Sequence, residues 1–237
     1  MRTRVDFGRI TVVYDSLALD EHSSTVERVA ESLRHALFAG DLSPGTPLRE
    51  VAIADQLGVA RSTVREAFTL LTGEGLVTRK PNRGVAVTSY DRDQVRDLIG
   101  ARLVVELAGA HAWRDAQPSL RDAVHTALSR YAELAESNAP VRDITEAHLD
   151  FHRRIVALTD NERLTALSDQ LYAEIRLALA HLDRLRSNAR EQIADHRHLL
   201  ELIESADTPT VDAALNAHLD GAETSIREAL LADRDAG

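Results

Sequence analysis

Ten histidines occur in the 237-residue chain, and four of them are spaced in a way that predicts a metal site. His148 and His152 are four residues apart, so on a helix their side chains lie about 40° apart and project from one face. His196 and His218 are each 11 residues from Asp207, where an Asp-Thr-Pro sequence indicates a break between two helices. Antiparallel helices joined at that break bring the two imidazoles to the same height. Four converging imidazole nitrogens suit a divalent metal ion, and zinc is the ion we expect.

The same histidines have plainer interpretations and a second functional one. A pair at i and i+4 is more often incidental, although the mirrored pair strengthens the metal hypothesis. A metal-dependent hydrolase or isomerase is the alternative function, but Leu149-Asp150-Phe151 lacks the glutamate of a zincin helix. Asp150 lies about 200° from His152 around the helix and points away. Four protein ligands would also saturate zinc. The remaining histidines of the second half have no partner at an informative spacing and are expected to be ordinary helical residues: His111, His125, His181 and His198.

The elements that must position these residues are helices. Beyond Tyr90 every segment has helical character, and breaks fall near Pro118, Pro140, Asn161, Asn188 and Pro209. Six long helices without strands predict an all-helical bundle.

The first part of the chain predicts a different fold. Apolar residues at three- and four-residue spacing predict a helix from Thr25 to Phe38. Two short helices follow, at about residues 49–57 and 61–73, and they are joined across Gly58 in the manner of a helix-turn-helix. The β-branched segments 76–79 and 85–88 flank a Pro/Asn/Gly turn and predict a β-hairpin.

The chain is therefore expected to be mainly α. Residues 1–22 are left as an N-terminal tail, residues 23–90 form a winged helix-turn-helix of three helices and a β-hairpin, and residues 91–237 form an all-α bundle of six or seven helices. Because the chain has no cysteine, disulfide scaffolds and Cys-ligated zinc sites are excluded. Without an apolar run near 18 residues or a signal peptide, we expect a soluble, cytoplasmic protein with no membrane partner.

Charge is unevenly distributed along the chain, whose net charge is -10. Residues 1–90 hold 11 basic and 11 acidic side chains, whereas residues 91–237 hold 17 and 27. Between residues 60 and 83 there are five basic and two acidic side chains, so a cationic face is local to the second short helix and the hairpin. Arginines there can read guanine, although each of them taken alone could be a solvated surface residue.

The sequence LREVAIADQLGVARSTVREA, from Leu48 to Ala67, continues to Gly75-Leu-Val and Arg83-Gly84. It resembles the winged helix-turn-helix of the GntR family of bacterial transcription regulators over about residues 24–88. The resemblance implies binding to palindromic, double-stranded operator DNA as a homodimer. It also implies DNA contacts from the recognition helix, its surroundings and the wing: Arg49, Arg61, Ser62, Thr63, Arg65, Arg83 and Gly84.

Two positions depart from the family pattern. Val51 stands where the family often has an arginine facing the DNA backbone, and Ala60 stands where a Ser or Thr is usual. Thr63 and Glu66 nevertheless preserve the spacing of a capping box.

The helical part resembles the FCD-type ligand domain of the FadR subgroup, through Phe151-His152, Asp195-His196-Arg197 and Ala217-His218-Leu219. The resemblance implies a metal held by three histidines and an Asp or Asn, whose position His148 occupies in this chain. It also implies that Arg102 faces an effector. The plainer interpretation of Arg102 is a weak i,i+4 salt bridge with Glu106.

The sequence thus predicts a transcription regulator whose operator affinity is controlled by a small organic acid bound near the metal and Arg102. Three or four neutral imidazoles leave the charge of the ion uncompensated, which attracts an anion. A purely structural helical scaffold would leave the basic wing and recognition helix without a purpose.

Overall fold

The computed structural model of the chain describes residues 24–80, 84–137, 139–179 and 189–235, without the side chains of residues 189–191 and 229–235. The chain divides into two compact units, Met1–Ser89 and Tyr90–Gly237. The tail expected at residues 1–22 lies outside the described residues.

The first unit contains three helices and a small sheet: α1 (Thr25–Phe38), β1 (Pro47–Leu48), α2 (Glu50–Leu57), α3 (Arg61–Gly73), β2 (Val77–Lys80) and β3 (Gly84–Val87). Helix α1 begins after Ser24, whose side chain accepts a hydrogen bond from the Glu27 amide. The residue that follows α2 and caps its C-terminus is Gly58, which has a φ of 66°, and this left-handed conformation favours glycine. The tight turn of the helix-turn-helix therefore depends on that residue.

The sheet has the strand order β1-β3-β2 with antiparallel pairing, and Val77 pairs with Val87 across the hairpin. Strand β1 was not predicted, because two residues that follow a run of turn formers show no alternating pattern. It forms through pairing with β3, in which Leu48 lies opposite Val85. The wing is therefore a three-stranded sheet.

The second unit contains six helices among the described residues: α4 (Arg92–Ala112), α5 (Pro118–Glu136), α6 (Val141–Ala157), α7 (Glu162–Leu179), α8 (Ala189–Ser205) and α9 (Thr208–Asp235). Helix α4 begins with a capping box, in which the Asp91 carboxylate accepts from the Gln94 amide and the Gln94 side chain accepts from the Asp91 amide. The predicted fold, a winged helix-turn-helix followed by an all-α bundle, is confirmed.

Helices α4 and α6 cross at very close range. A Cβ atom placed on Gly109 of α4 would lie 2.0 Å from the carbonyl oxygen of Ile155 on α6. Only glycine permits this approach, which brings the two side chains Arg102 and Glu106 of α4 toward the histidines of α6. No described helix is both long enough and apolar enough to cross a membrane.

Candidate functional site

The recognition helix α3 presents polar residues to solvent because its apolar residues point inward. Val64 and Phe68 are buried, whereas Arg61, Ser62 and Arg65 are exposed. Thr63 is half-buried and also belongs to the first turn. The start of α3 is therefore available to a DNA groove, as expected for a helix-turn-helix.

The capping box expected from Thr63 and Glu66 is wrong. Helix α3 begins three residues earlier than that box requires, because its N-cap is Ala60 rather than Thr63 and no side chain caps it. The Thr63 amide instead bonds to the Ala60 carbonyl. The spacing was correct for a box, but Thr63 is already the third helical residue.

Further exposed basic side chains of the first unit lie outside α3. Arg49 is the exposed residue before α2, and Arg79 and Lys80 are exposed on β2. Gly84 begins β3 with a φ of 81°. Arg83, the wing-tip arginine predicted to contact DNA, lies outside the described residues.

Arg65, which is predicted to contact DNA, forms an ion pair with Glu50. Its Nε donates to Oε1 of Glu50 at 3.3 Å, and its Nη2 donates to Oε2 of Glu50 at 3.0 Å. This hydrogen bonding lowers the pKa of Glu50 below its usual value, with a further contribution from the charges of Arg79 and Arg61. The Glu50 carboxylate is thus a negative charge close to three arginines, Arg65, Arg79 and Arg61.

In the second unit the four predicted histidines come together. His148 and His152 project from α6, His196 from α8 and His218 from α9. Nε2 of His152 lies 3.2 Å from Nε2 of His148 and 3.1 Å from Nε2 of His196. The imidazole ring centres of His196 and His218 are 4.5 Å apart. One ring nitrogen from each of the four lies within 4.8 Å of the others, so we call this group the histidine cluster.

Two of these rings are oriented by hydrogen bonds at their other nitrogen. Nδ1 of His152 lies 2.9 Å from Oε2 of Glu106, and Nδ1 of His196 lies 2.5 Å from the Gln192 carbonyl. Both partners are acceptors, so each Nδ1 carries the proton and each Nε2 offers a lone pair. The 3.1 Å approach of two such lone pairs is satisfied by a cation between them. The donor set therefore fits a metal ion.

The histidine cluster is held in its uncharged form. Burial lowers the pKa of His196 to about 4 and the pKa of His218 to about 3. Burial also lowers the pKa values of His148 and His152 well below 6.5, with repulsion from neighbouring positive charge adding to the effect. Neutral imidazoles are the form that binds metals.

Glu106 connects the histidine cluster to Arg102. Its carboxylate accepts hydrogen bonds from Arg102 Nε at 2.5 Å and from the Tyr172 hydroxyl at 2.9 Å, in addition to the contact with His152. Arg102 and Glu106 are buried, with 1% and 0% of their side chains exposed. The salt bridge of the plainer interpretation is formed, but the small energy typical of an exposed pair does not apply to it.

Arg102 retains hydrogen-bonding capacity. Its Nη2 is buried and has no hydrogen-bond partner among the described residues. Arg102 lines a cavity of about 690 Å³ together with three members of the histidine cluster, His148, His196 and His218. Positive charge and imidazole nitrogens therefore meet at one cavity in the helical unit.

Three of the other four histidines of the second half are described, and they lie outside the histidine cluster, although His198 also lines the cavity of Arg102. His111, His125 and His198 are exposed and lie near the carboxylates of Asp212, Glu204 and Glu201, respectively. His181 lies outside the described residues. Asp150 pairs with Arg154 rather than with a histidine of the cluster.

Three partners of the site were missed as such by the sequence analysis. The i+4 spacing of Glu106 to Arg102 predicts a salt bridge, but it does not predict the contact between Glu106 and His152. Tyr172 and Gln192 had no signal, because Tyr172 is 66 residues from Glu106 and Gln192 contributes a backbone carbonyl.

The chain matches two protein families. Residues 25–87 match the family described as bacterial regulatory proteins, gntR family, and residues 97–221, more than half of the chain, match the FCD domain. The chain is 24% identical over 222 residues to the gluconate operon transcriptional repressor of Bacillus subtilis (strain 168), covering 90% of this chain and 89% of the relative. It is 25% identical over 206 residues to the HTH-type transcriptional repressor RspR of Escherichia coli (strain K12), covering 85% and 89%.

The chain is also similar to a solved structure. The crystal structure of a GntR protein from Rhodococcus sp. RHA1 aligns with a TM-score of 0.73 and 28% identity over 86% of this chain and 98% of that chain. The matching families and relatives are transcription regulators, not enzymes. The chain therefore belongs to the GntR family of bacterial regulatory proteins and is a transcription regulator with an FCD ligand-binding domain, as in the FadR-like subgroup.

Proposed function

We propose that this regulator binds a small carboxylate metabolite beside a divalent metal ion in its helical unit, and that this binding controls its affinity for operator DNA. The observation that carries the proposal is the buried Arg102 guanidinium, which has an unpartnered Nη2 and lies at the same 690 Å³ cavity as the histidine cluster. A carboxylate provides the acceptor oxygens that a guanidinium binds best.

Zinc is the ion we propose for the histidine cluster. Imidazole nitrogen is a preferred ligand of zinc, and four such ligands match its usual coordination number. His148, His152, His196 and His218 would hold the ion, with Glu106 and the Gln192 carbonyl fixing two of the rings. When bound, the ion supplies positive charge at the cavity.

Charge balance favours an anionic effector. Glu106 neutralises Arg102, and the four imidazoles are neutral, so a divalent cation would bring two uncompensated positive charges. An acidic metabolite compensates them. The similar repressor from Bacillus subtilis is named for a gluconate operon, and gluconate is a carboxylate.

On the DNA side, we propose that the chain binds a palindromic operator as a homodimer. Arg61, Ser62, Thr63 and Arg65 would enter the major groove, and Arg49, Arg83 and Gly84 would contact the backbone or the adjacent groove. The effector acts only if its affinity differs between the DNA-binding and the released conformations, so operator affinity and effector affinity are coupled reciprocally.

The test begins with His196→Ala. We expect this variant to lose bound zinc, measured by elemental analysis, while His198→Ala, an exposed neighbour outside the histidine cluster, retains it. Operator duplexes are then selected from random DNA, and their binding is measured by fluorescence anisotropy against a panel of organic acids. An acid that shifts operator affinity for the wild type, but not for His196→Ala or Arg102→Ala, supports the proposal. Unchanged zinc content in His196→Ala would exclude the metal assignment.

A further inference from the structure

The ion pair between Glu50 and Arg65 joins two helices of the DNA-binding unit. Glu50 is the first residue of α2, and Arg65 lies in the second turn of α3. Two parallel hydrogen bonds connect them, from Nε to Oε1 at 3.3 Å and from Nη2 to Oε2 at 3.0 Å. The Arg65 side chain is nevertheless 60% exposed, so it remains accessible to a ligand.

The two bonds use one edge of the guanidinium. A guanidinium has five N–H donors in a plane, and Glu50 engages one on Nε and one on Nη2. Both donors of Nη1 and the second donor of Nη2 are left. These form the end of the fork, which is an edge that can bind O6 and N7 of guanine.

The negative charge of Glu50 is unfavourable on a surface that is proposed to contact DNA phosphates. Arg61 and Arg79 lie near enough to influence the carboxylate electrostatically, so Glu50 stands among three arginines. A carboxylate there opposes non-specific DNA binding, which depends on net positive charge. Its presence calls for a compensating contribution to specific binding.

We propose that Glu50 is a positioning residue for operator recognition, which holds the Nε edge of Arg65 so that the opposite Nη edge is presented to a guanine. The inference rests on the proposed base-reading role of Arg65. A side chain ordered before binding loses less conformational freedom in the complex, which corresponds to about three- to tenfold in affinity.

The test compares Glu50→Gln with Asp55→Asn. Both substitutions remove one negative charge from α2, but Asp55 is exposed and makes no ion pair among the described contacts. The probes are the duplex that wild-type protein selects from a randomised library and a scrambled duplex of the same composition. We expect both variants to bind the scrambled duplex slightly more tightly. Only Glu50→Gln should lose about three- to tenfold in the ratio of selected to scrambled affinity.

Arg65 variants separate positioning from other roles. Arg65→Lys keeps the charge but has no planar fork, so adding Glu50→Gln to it should change the ratio no further. An equal further loss in the Arg65→Lys background would overturn the inference, as would a rise in the ratio for Glu50→Gln, which would make the ion pair an inhibitory contact. Thermal unfolding of each variant separates lost recognition from lost folding.

The variant Arg65→Ala tests the base-reading role of Arg65 separately from the positioning role of Glu50. If Arg65→Ala keeps the guanine preference of the wild type in the selection, Arg65 does not read a base, and the inference fails with that proposal. If Arg65→Ala loses the preference and Glu50→Gln retains it fully, the reading role stands and the positioning role alone is wrong.

Discussion

Glu106 accepts a hydrogen bond from Arg102 one helical turn away on α4, and neither side chain reaches solvent. The same carboxylate orients His152. Glu106 therefore both compensates the charge of Arg102 and fixes the orientation of one imidazole. A buried ion pair that loses one partner leaves an uncompensated charge, which makes Glu106 a critical residue of the helical unit.

Glu106→Gln is expected to weaken zinc binding by about 10- to 100-fold, because the acceptor that fixes the His152 ring loses its charge and Arg102 becomes uncompensated beside the ion. Titration calorimetry of metal-free protein with a zinc salt measures the effect. Glu133→Gln, an exposed change on α5, is the matched control and should bind zinc as the wild type does. Equal zinc affinity in both variants would contradict the role given to Glu106.

Gly109→Ala is expected to destabilise the chain by about 3 kcal/mol or more, because the new methyl group meets the Ile155 carbonyl at 2.0 Å and backbone cannot yield as a side chain can. Urea unfolding measures the difference. Gly100→Ala on the same helix has no atom within 4 Å of the new methyl group, so it should stabilise by about 0.5 to 1 kcal/mol. Similar effects of the two substitutions would show that α4 and α6 do not cross as closely as described.

The metal-free protein is expected to lose stability as the pH falls below 6.5. Burial lowers the folded-state pKa of His196 to about 4 and of His218 to about 3, whereas the unfolded chain takes up these protons near 6.5. Protons therefore favour the unfolded state between those values, and each histidine contributes a loss of about 1.4 kcal/mol per pH unit in that interval.

Denaturant unfolding at a series of pH values measures this dependence. His218→Asn should reduce the slope, since one titrating group is removed, whereas His198→Asn, an exposed change, should leave it unaltered. A slope that is the same in all three proteins would mean that the cluster does not titrate as the burial of its rings requires.

Local sequence patterns predicted most of the secondary structure. Helix α1 was predicted with its observed ends, Thr25 and Phe38, because its apolar residues follow the helical period and a glycine follows it. Predicted breaks at proline and asparagine fall between the described helices of the second unit, whereas the break predicted near Asn188 lies outside the described residues. Strand β1 could not be predicted in this way, since its two residues become a strand only by pairing with β3.

The histidine cluster could be predicted in part from the sequence, because its members follow simple spacings. His148 and His152 share a helix face, and the turn near Asp207 places His196 opposite His218. The carboxylate of Glu106 and the hydroxyl of Tyr172 obey no such spacing, since their contact depends on how α4 packs on α7. A capping residue can be predicted only when the first residue of the helix is known. The sequence pattern does not define the start of α3, so the capping role predicted for Thr63 is wrong.

The three helices that supply the imidazoles give the proposed ion a second consequence. His152 and His196 are 44 residues apart, and they lie on α6 and α8, so an ion bound to both closes a long loop of chain. It would act as a removable cross-link that stabilises the folded chain, because the four imidazoles converge only in the folded state. Chelation should therefore leave the chain more readily digested by proteases, whichever metabolite the cavity accepts.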